Sequence, residues 1–411
     1  MKIMIVNAYG RSNRGDSVLL DECIADVMNA VPGAQIGCAV FEELDKARAA
    51  HPNVRFSERI GNTGQRGAIA KLVTLGRMIL ASLALIPSLG WIVRSLPLSQ
   101  QESWRMIRSA DIVISAPGGY IHDTNFAYYV ALFHIWLGQR RGTRVILAPQ
   151  SIGPIDAAFA RRIARAVLSW SDAVCARESY SWDFLRNTLN LPKQLLRRSG
   201  DSAFWNTDVS EDTAASQAAW SEIGVDPEVE QVLGLTVVDW TFPKSLNVLA
   251  AQDAYVQGLA RVIQHMSLHH GLRSVIFNQV SDDLSMAERV AAACTVPVLI
   301  DRTSREPDLL RALISRSTLF LGTRFHSCIF AMMASRPTFA VAYLPKTSFI
   351  LRDLRLDARQ APITEFDPDA VISALECDLA DLPAARAEIE TAVTHYRDTH
   401  TRLRDVLEEI S

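Results

Sequence analysis

The chain opens with Met1-Lys2-Ile3-Met4-Ile5-Val6-Asn7, a short apolar run that is typical of a buried strand in a parallel sheet. A polar loop over residues 9–16 follows it, and residues 17–30 then carry apolar side chains at helical spacing. A strand, a loop and a helix in this order predict an α/β fold. The loop is therefore expected at the carboxyl edge of the sheet, where ligands bind.

The same alternation recurs along most of the chain. In the first half, apolar runs predict further strands at residues 35–40, 111–116, 144–149, 173–176 and 197–199. In the second half they predict strands at residues 231–238, 274–278, 296–300, 318–321 and 338–343. Helical patterns separate these strands, so the sequence predicts two Rossmann-like domains, each with a doubly wound parallel sheet.

The length of 411 residues, at 45.5 kDa, exceeds what one hydrophobic core usually organises. A polar segment, Asp208-Val209-Ser210-Glu211-Asp212-Thr213-Ala214-Ala215-Ser216, precedes the first strand of the second half. We expect an N-terminal domain over residues 1–208 and a C-terminal domain over residues 228–380. A last helix within residues 381–411 is expected to pack back on the N-terminal domain.

The charge balance restricts the partners. Lys and Arg number 42 against 45 Asp and Glu, a net charge of −3, which argues against non-specific nucleic-acid binding. Any bound anion must therefore be held by a local pocket. The six cysteines lack metal-binding spacing and are expected to be free thiols, and the N-terminus lacks a signal peptide, so we expect a cytoplasmic protein.

An apolar insertion over residues 78–98 has two interpretations. Sixteen uncharged residues separate Arg77 from Arg94, but Pro87 and Gly90 interrupt them, and the run is short for a spanning helix. It can form one or two buried helices. Alternatively, it can lie on the inner face of a membrane with both arginines reaching the headgroups, a peripheral contact.

The first loop lacks the GxGxxG pattern, which argues against a nicotinamide-dependent dehydrogenase. It offers instead the amide of Asn13, the small Gly15 and the carboxylate of Asp16 as candidate ligand-binding groups. The alternative is that Asp16 only caps the helix that begins at Ser17, since Asp is a preferred capping residue.

Gly118, Gly119 and Tyr120 follow another predicted strand, and such glycines allow backbone N–H groups to face an anion or a sugar hydroxyl. His122 and Asp123 come next, among aromatic residues that suit contact with a sugar ring. Helical spacing of those aromatics in the core is the alternative.

Three later loops are expected at the same edge of the sheet. Gln150, Ser151 and Gly153 end one strand, and Arg177 directly follows another, where it can clamp a phosphate or carboxylate. An exposed salt bridge to Glu178 or Asp183 is the alternative for Arg177. Asp201 follows Gly200 in a turn that can be purely structural.

The strongest local signal is Phe320-Leu321-Gly322-Thr323-Arg324-Phe325-His326-Ser327. Alternate residues of a strand point the same way, so Arg324 and His326 are expected to converge on one ligand in the cleft between the domains. The helix N-terminus beside them favours a phosphate. Lys346, after the next strand, is a further candidate cation, with an exposed lysine as the alternative.

In their order along the chain, the loops around Asp16, Gly118, Gln150, Arg177, Asp201 and Arg324, with Lys346 closing the series, resemble the polysaccharide pyruvyl transferase family. This resemblance implies a GT-B-like arrangement of the two domains. It also implies transfer of pyruvate from phosphoenolpyruvate to a sugar as a ketal, with release of phosphate. The chain departs from the family pattern at Val238-Asp239-Trp240, where relatives often have a basic residue and Lys244 is the nearest cation.

On this hypothesis His326 is the general acid or the phosphate-activating group, Arg324 assists it, and Asp16 is the base that accepts a hydroxyl proton. Arg324, Lys346 and Arg177 are the candidate cations for the donor. No metal and no cofactor are expected, and the partners are phosphoenolpyruvate and a glycan or lipid-linked oligosaccharide. The alternatives are a GT-B glycosyltransferase that uses a nucleotide sugar and a non-catalytic sugar- or membrane-binding protein. The sequence leaves the oligomeric state open.

Overall fold

The computed structural model describes residues 1–11, 13–65, 67–140, 142–206, 213–243, 245–303 and 305–410. The chain divides into two compact units, Met1–Ser202 with His400–Ser411, and Ala203–Thr399. Each unit holds one parallel sheet. The start of the polar segment that we took as the boundary lies in residues 207–212, and these residues and Lys244 are outside the described residues.

The sheet of the first unit has eight parallel strands, seven of them in the order β3-β2-β1-β4-β6-β7-β8, with β5 pairing β6. The strands are β1 Lys2–Ala8, β2 Gln35–Val40, β3 Arg55–Glu58, β4 Ile112–Ser115, β5 Gly118–Ile121, β6 Arg144–Ile152, β7 Ala173–Ala176 and β8 Leu196–Arg198. The order reverses between β1 and β4, and the crevice at such a switch point is where ligands bind in open α/β sheets.

Both faces of this sheet are buried. Met4 and Val6 of β1 belong to the core on one face, whereas Ile3 and Ile5 belong to the core on the other. This alternation explains the continuous apolar run, because a strand covered on both sides has no polar face. The covering helices of this unit are α1 Arg14–Ala30, α2 Leu44–Ala50, α3 Ala68–Leu83, α4 Leu98–Ser109, α5 Ala127–Gly138, α6 Ala158–Leu168 and α7 Ser179–Asp183, with a 3-10 helix at Pro87–Ser95.

Two expected loops are in fact strands. β6 extends to Ile152, so Gln150 and Ser151 lie in it, and Gly118 and Tyr120 lie in β5. β5 pairs with the second half of β6, with Gly118 opposite Gln150. The extra strand gives the carboxyl end of β6 a hydrogen-bonding partner that the glycine-rich sequence did not indicate.

The second sheet has six parallel strands in the order β11-β10-β9-β12-β13-β14. They are β9 Val232–Thr236, β10 Arg273–Phe277, β11 Val298–Asp301, β12 Leu319–Gly322, β13 Thr338–Ala342 and β14 Gln360–Pro362. The helices of this unit are α8 Ala214–Ile223, α9 Val248–His270, α10 Leu284–Ala293, α11 Pro307–Ile314, α12 Phe325–Met333, α13 Pro345–Asp353, α14 Pro368–Ala380 and α15 Leu382–Thr399. The order reverses between β9 and β12, which makes the end of β12 a second switch point.

The chain ends in two helices, where the sequence indicated one over residues 382–409. After α15, Thr401 N donates to Arg198 O at 2.8 Å, and α16 Leu403–Ile410 then packs against α1. Arg402 anchors this segment, with Nε 2.6 Å from Asp26 Oδ1. The break at residues 400–402 therefore places α16 in the first unit.

Candidate functional sites in the two units

The switch point of the second unit is formed by the turn from β12 into α12. Thr323 N donates to Thr236 O of β9 at 2.9 Å, and Arg324 N donates to Thr236 Oγ1 at 3.3 Å. Gly322 is required here, since a Cβ on it would lie 2.4 Å from Cys328 Sγ. The turn places Arg324 at the N-cap of α12 and His326 in its first turn, so the two flank a helix N-terminus and do not lie along a strand.

Arg324 is held by a carboxylate that the sequence analysis missed. Its Nε lies 2.6 Å from Asp283 Oδ2 and its Nη2 lies 2.7 Å from Asp283 Oδ1. Asp283 Oδ1 also accepts a hydrogen bond from Asp239 N at 3.0 Å. Burial opposes the charge of Arg324, but the hydrogen bond to Asp283 and the nearby Tyr343 raise the pKa of Arg324 above its usual value. The guanidinium therefore stays charged and fixed in direction.

His326 and Lys346 complete the polar groups of this edge. The His326 side chain is buried, and its ring lies 5.1 Å from that of Phe325, centre to centre. Lys346 lies in the first turn of α13, with Nζ 5.5 Å from the centre of the Phe325 ring. Ser327 donates to Gln279 Oε1, which follows β10. Two helix N-termini and three basic side chains thus surround one switch point, an arrangement that favours an anion.

In the first unit, Asn13 and not Asp16 caps α1. Asn13 Oδ1 accepts a hydrogen bond from Gly15 N at 3.1 Å, and Asp16 lies one residue further on, in the first turn. The alternative that Asp16 is the cap is therefore wrong. Its half-buried carboxylate lies close enough to Tyr9 and Tyr120 to contribute to the raised pKa of both phenols, for which burial is the main cause.

Two buried amides meet at the switch point of the first unit. Gln150 Nε2 donates to Ser115 Oγ at 2.9 Å and to Ala116 O at 2.8 Å. Asn7 Nδ2 donates to the same Ser115 Oγ at 3.0 Å. Asn7 Oδ1 and Gln150 Oε1 accept no hydrogen bond from the described residues. Two buried acceptors without donors are costly, and any hydroxyl group, water molecule or N–H group that reached them would satisfy them.

Arg177 does not project from its strand into solvent. Its guanidinium is 1% exposed, with Nε 3.0 Å from Ser151 Oγ and Nη1 3.2 Å from Asp201 Oδ2. Ser151 Oγ in turn donates to Glu178 Oε2 at 2.8 Å. The alternative of a salt bridge to Glu178 is right in its partner, since Arg177 Nε lies 3.5 Å from Glu178 Oε2, but wrong in its exposure, because both side chains are buried. A Cβ on Gly119 would lie 3.3 Å from Arg177 Nη2, so this glycine allows the close approach.

Three other candidate residues make local structural contacts. Asp123 Oδ2 accepts hydrogen bonds from Asp156 N at 2.9 Å and Ala157 N at 2.8 Å, just before α6. His122 Nδ1 lies 2.6 Å from Thr124 Oγ1. Gly153 has a φ of +92° and packs under the ring of Phe184.

Arg59 is a further candidate site residue, which the sequence analysis missed. It directly follows β3, and its Cζ lies 4.4 Å from the centre of the Phe41 ring. The side chain is 9% exposed, and it forms no ion pair with a carboxylate of the described ranges. Burial lowers the pKa of Arg59, and the nearby hydroxyl groups of Tyr9 and Tyr120 partly oppose this shift. A buried cation without an anion is costly, which makes this group a candidate anion contact.

A possible metal cluster lies elsewhere. Within the described part of the chain, His265, His270 and Glu376 are the group whose ligand atoms could hold one ion. They lie on α9 and α14, at the end of α9 that leads into the start of β10. The carboxyl edge of the sheet is at the other end of that strand.

Comparison with known proteins assigns the family. The model of the polysaccharide pyruvyl transferase family matches residues 43–345, well over half of the chain. The chain belongs to the polysaccharide pyruvyl transferase family, as the ordered loops indicated.

Solved structures show the fold. A glycosyltransferase from Rickettsia africae has 10% identity and a TM-score of 0.61, with 100% of this chain and 96% of that one covered. UDP-GlcNAc 2-epimerase from Methanocaldococcus jannaschii has 12% identity and a TM-score of 0.58, with 92% of each chain covered. Anabaena HepE, solved with UDP and glucose, has 10% identity and a TM-score of 0.58, with 100% and 98% covered. With the two parallel sheets, this likeness confirms the predicted GT-B-like α/β fold class.

Proposed function

We propose that the protein transfers pyruvate from phosphoenolpyruvate to two hydroxyl groups of one sugar in a glycan or lipid-linked oligosaccharide. Two C–O bonds form at C2 of the donor, and its C2–O bond to phosphate breaks. Of the two hydroxyl protons, one appears on the former methylene carbon and the other on the released phosphate. The reaction balances without an oxidant, a metal or a cofactor.

The observation that carries the proposal is the cluster of Arg324, His326 and Lys346 at the switch point of the second unit. Phosphoenolpyruvate presents a phosphate and a carboxylate, which need cations and helix N-termini. Asp283 balances the charge of Arg324, so Lys346 and the N-termini of α12 and α13 supply the remaining positive potential. We therefore assign the donor to the C-terminal domain, residues 228–380.

His326 is the proposed proton donor. An imidazole with a reference pKa of about 6.5 can give a proton to the methylene carbon or to the departing phosphate near neutral pH. Arg324, fixed by Asp283, orients the anionic donor beside it. Protonation of the methylene carbon leaves an oxocarbenium-like centre that the first sugar hydroxyl attacks, and the second hydroxyl then closes the ketal.

The N-terminal domain, residues 1–208, is the proposed acceptor side. Asp16 is the candidate base for the attacking hydroxyl, and the free carbonyl oxygens of Asn7 and Gln150 are candidate acceptors for sugar hydroxyls or for water that bridges to them. Arg177 acts here by holding Ser151 in place. We propose a cytoplasmic enzyme, with which the six free cysteines agree.

The test measures phosphate release from phosphoenolpyruvate with a panel of glycan acceptors. The wild type should release phosphate, and mass spectrometry should show an acceptor heavier by pyruvate minus water. His326→Ala and Arg324→Ala should abolish both signals at an almost unchanged thermal unfolding temperature, whereas His269→Ala, on an exposed helix end, should behave as wild type. Full turnover in either site variant would exclude the assignment.

A nucleotide-sugar glycosyltransferase is the second candidate, because HepE, which has a similar fold, was solved with UDP and glucose. Ligand-induced stabilisation separates the two, since a ligand that binds only the folded state raises the unfolding temperature. Phosphoenolpyruvate should stabilise the wild type and not Arg324→Ala. Stabilisation by UDP alone would favour glycosyl transfer, and glycan binding without turnover of either donor would favour a binding protein.

A further inference from the structure

Helix α3 and the 3-10 helix after it expose apolar side chains. One interpretation of the sequence had placed this segment in buried helices. Of the sixteen residues of α3, only Ala70 and Ala81 are buried. The exposed side chains, with their exposed fractions, are Ile69 76%, Leu72 69%, Val73 41%, Leu75 44%, Ile79 51%, Leu83 37%, Ile86 46% and Trp91 64%. We call these eight residues the α3 surface.

Six residues of the α3 surface lie on α3 itself, and they share one side of that helix. They recur at spacings of three and four, which align side chains along one helix face. The opposite side is fixed to the first unit: Trp104 Nε1 donates to Ala81 O at 3.0 Å, and Thr74 Oγ1 donates to Gly61 O at 2.8 Å. The helix is thus held in place by one face while its apolar face is left to solvent.

The charged residues in the stretch of sequence around α3 are of one sign. No Asp or Glu occurs from residue 59 to residue 101, a stretch with five Arg and Lys residues in a protein of net charge −3. At the helical repeat, Lys71 and Arg77 fall at the two edges of the apolar face. Lys71 and Arg94 are exposed and form no ion pair with any residue that the structure describes.

We propose that the α3 surface docks on an anionic lipid bilayer. The apolar face of α3, the exposed Trp91 on the 3-10 helix that follows, and the exposed cations Lys71 and Arg94 suit a segment that lies in the headgroup region. A protein partner would need acidic groups placed to match these cations. A bilayer needs only its lipid phosphates, which the long side chains of Lys and Arg can reach from beside the apolar face. None of the described helices is long and apolar enough to cross a membrane, so the contact is peripheral.

This inference goes beyond the proposed reaction and does not depend on it. It does bear on the acceptor, because an enzyme held at a bilayer meets lipid-linked acceptors at high local concentration. Binding to vesicles is measured without any substrate, so a failure of docking and a failure of pyruvyl transfer are distinguishable.

The experiment is co-sedimentation of the full chain with vesicles of phosphatidylcholine alone or with phosphatidylglycerol added. We expect binding to the phosphatidylglycerol vesicles, weakened at least tenfold by Leu72→Ser with Leu75→Ser and by Trp91→Ala. The matched controls are Phe159→Ser and Trp170→Ala, whose side chains are 68% and 79% exposed elsewhere in the first unit. They should bind as wild type.

A second pair of variants tests the charges. Lys71→Gln with Arg94→Gln should weaken binding to anionic vesicles severalfold and reduce its sensitivity to salt, whereas Arg186→Gln with Lys193→Gln should not. Three results would overturn the proposal: no binding to anionic vesicles, binding that the α3 variants leave unchanged, or a wild-type dimer that Leu72→Ser with Leu75→Ser converts to a monomer without any vesicle binding.

Discussion

Asp283 and Arg324 lie 41 residues apart and are joined by two parallel hydrogen bonds of 2.6 and 2.7 Å. A bidentate contact fixes both the position and the plane of a guanidinium. Asp283 is itself held by the backbone N–H of Asp239, so the chain beyond β9 and the start of α10 both set the direction of Arg324. Asp283 is a positioning residue in the proposed mechanism, since it acts through Arg324.

The first prediction is that Asp283→Asn lowers turnover with phosphoenolpyruvate by about 10- to 100-fold, the scale of a misplaced catalytic group. The amide keeps one hydrogen-bond acceptor but loses the charge and the second acceptor, so Arg324 turns away. Steady-state kinetics should show the loss mainly in kcat. The neighbouring Asp282→Asn is the control, because Asp282 is exposed; equal kinetics for both variants would contradict the role.

The second prediction separates capping from catalysis at the start of α1. Asn13→Ala removes the cap and should lower the free energy of unfolding by about 1 kcal/mol, whereas Asn13→Asp should keep it. Asp16→Asn should leave the unfolding temperature nearly unchanged and abolish transfer, because the amide cannot accept the hydroxyl proton. Wild-type turnover of Asp16→Asn would remove Asp16 from the mechanism.

The sequence predicted much of the framework because buried parallel strands are continuous apolar runs. β9 and β12, and with them the loop at Arg324, follow from that pattern alone. β3 was missed because its four residues include two charged ones, Arg55 and Glu58, and Arg59 was missed with it. The partnership of Asp283 with Arg324 is a contact between distant segments, and no local pattern encodes it. An apolar run has the same sequence pattern whether it is buried in a core or exposed at the surface. The exposure of α3 could therefore be seen only in the structure.

The third prediction concerns Arg59. Arg59→Met removes a buried cation that has no carboxylate partner, so the free energy of unfolding should stay equal or rise. If Arg59 contacts an anionic group of the acceptor, the KM for that acceptor should rise about tenfold or more, the cost of one charge-assisted hydrogen bond. Arg55→Met, on the exposed start of the same strand, is the control. A loss of stability with unchanged KM would show that Arg59 is structural.

The last prediction is a pH dependence of stability at His134. Burial, aided by the charge of Arg59, lowers the pKa of His134 to about 3. Between that pH and the reference value of about 6.5, the unfolded chain binds a proton at this residue and the folded chain does not. The contribution of neutral His134 to the free energy of unfolding is therefore complete above the reference pKa. It decreases by about 1.4 kcal/mol for each pH unit below that value, down to the pKa of the folded protein.

His134→Leu should flatten this dependence, because leucine fills a similar volume and takes no proton. Urea unfolding at pH 4.5, 5.5 and 6.5 should give a steeper loss of stability for the wild type than for His134→Leu, and the difference between the two slopes isolates this residue from the carboxylates that both proteins share. His269→Leu, on an exposed helix end, should keep the wild-type slope. Parallel pH profiles for wild type and His134→Leu would mean that the folded protein binds a proton at His134 as readily as the unfolded chain does.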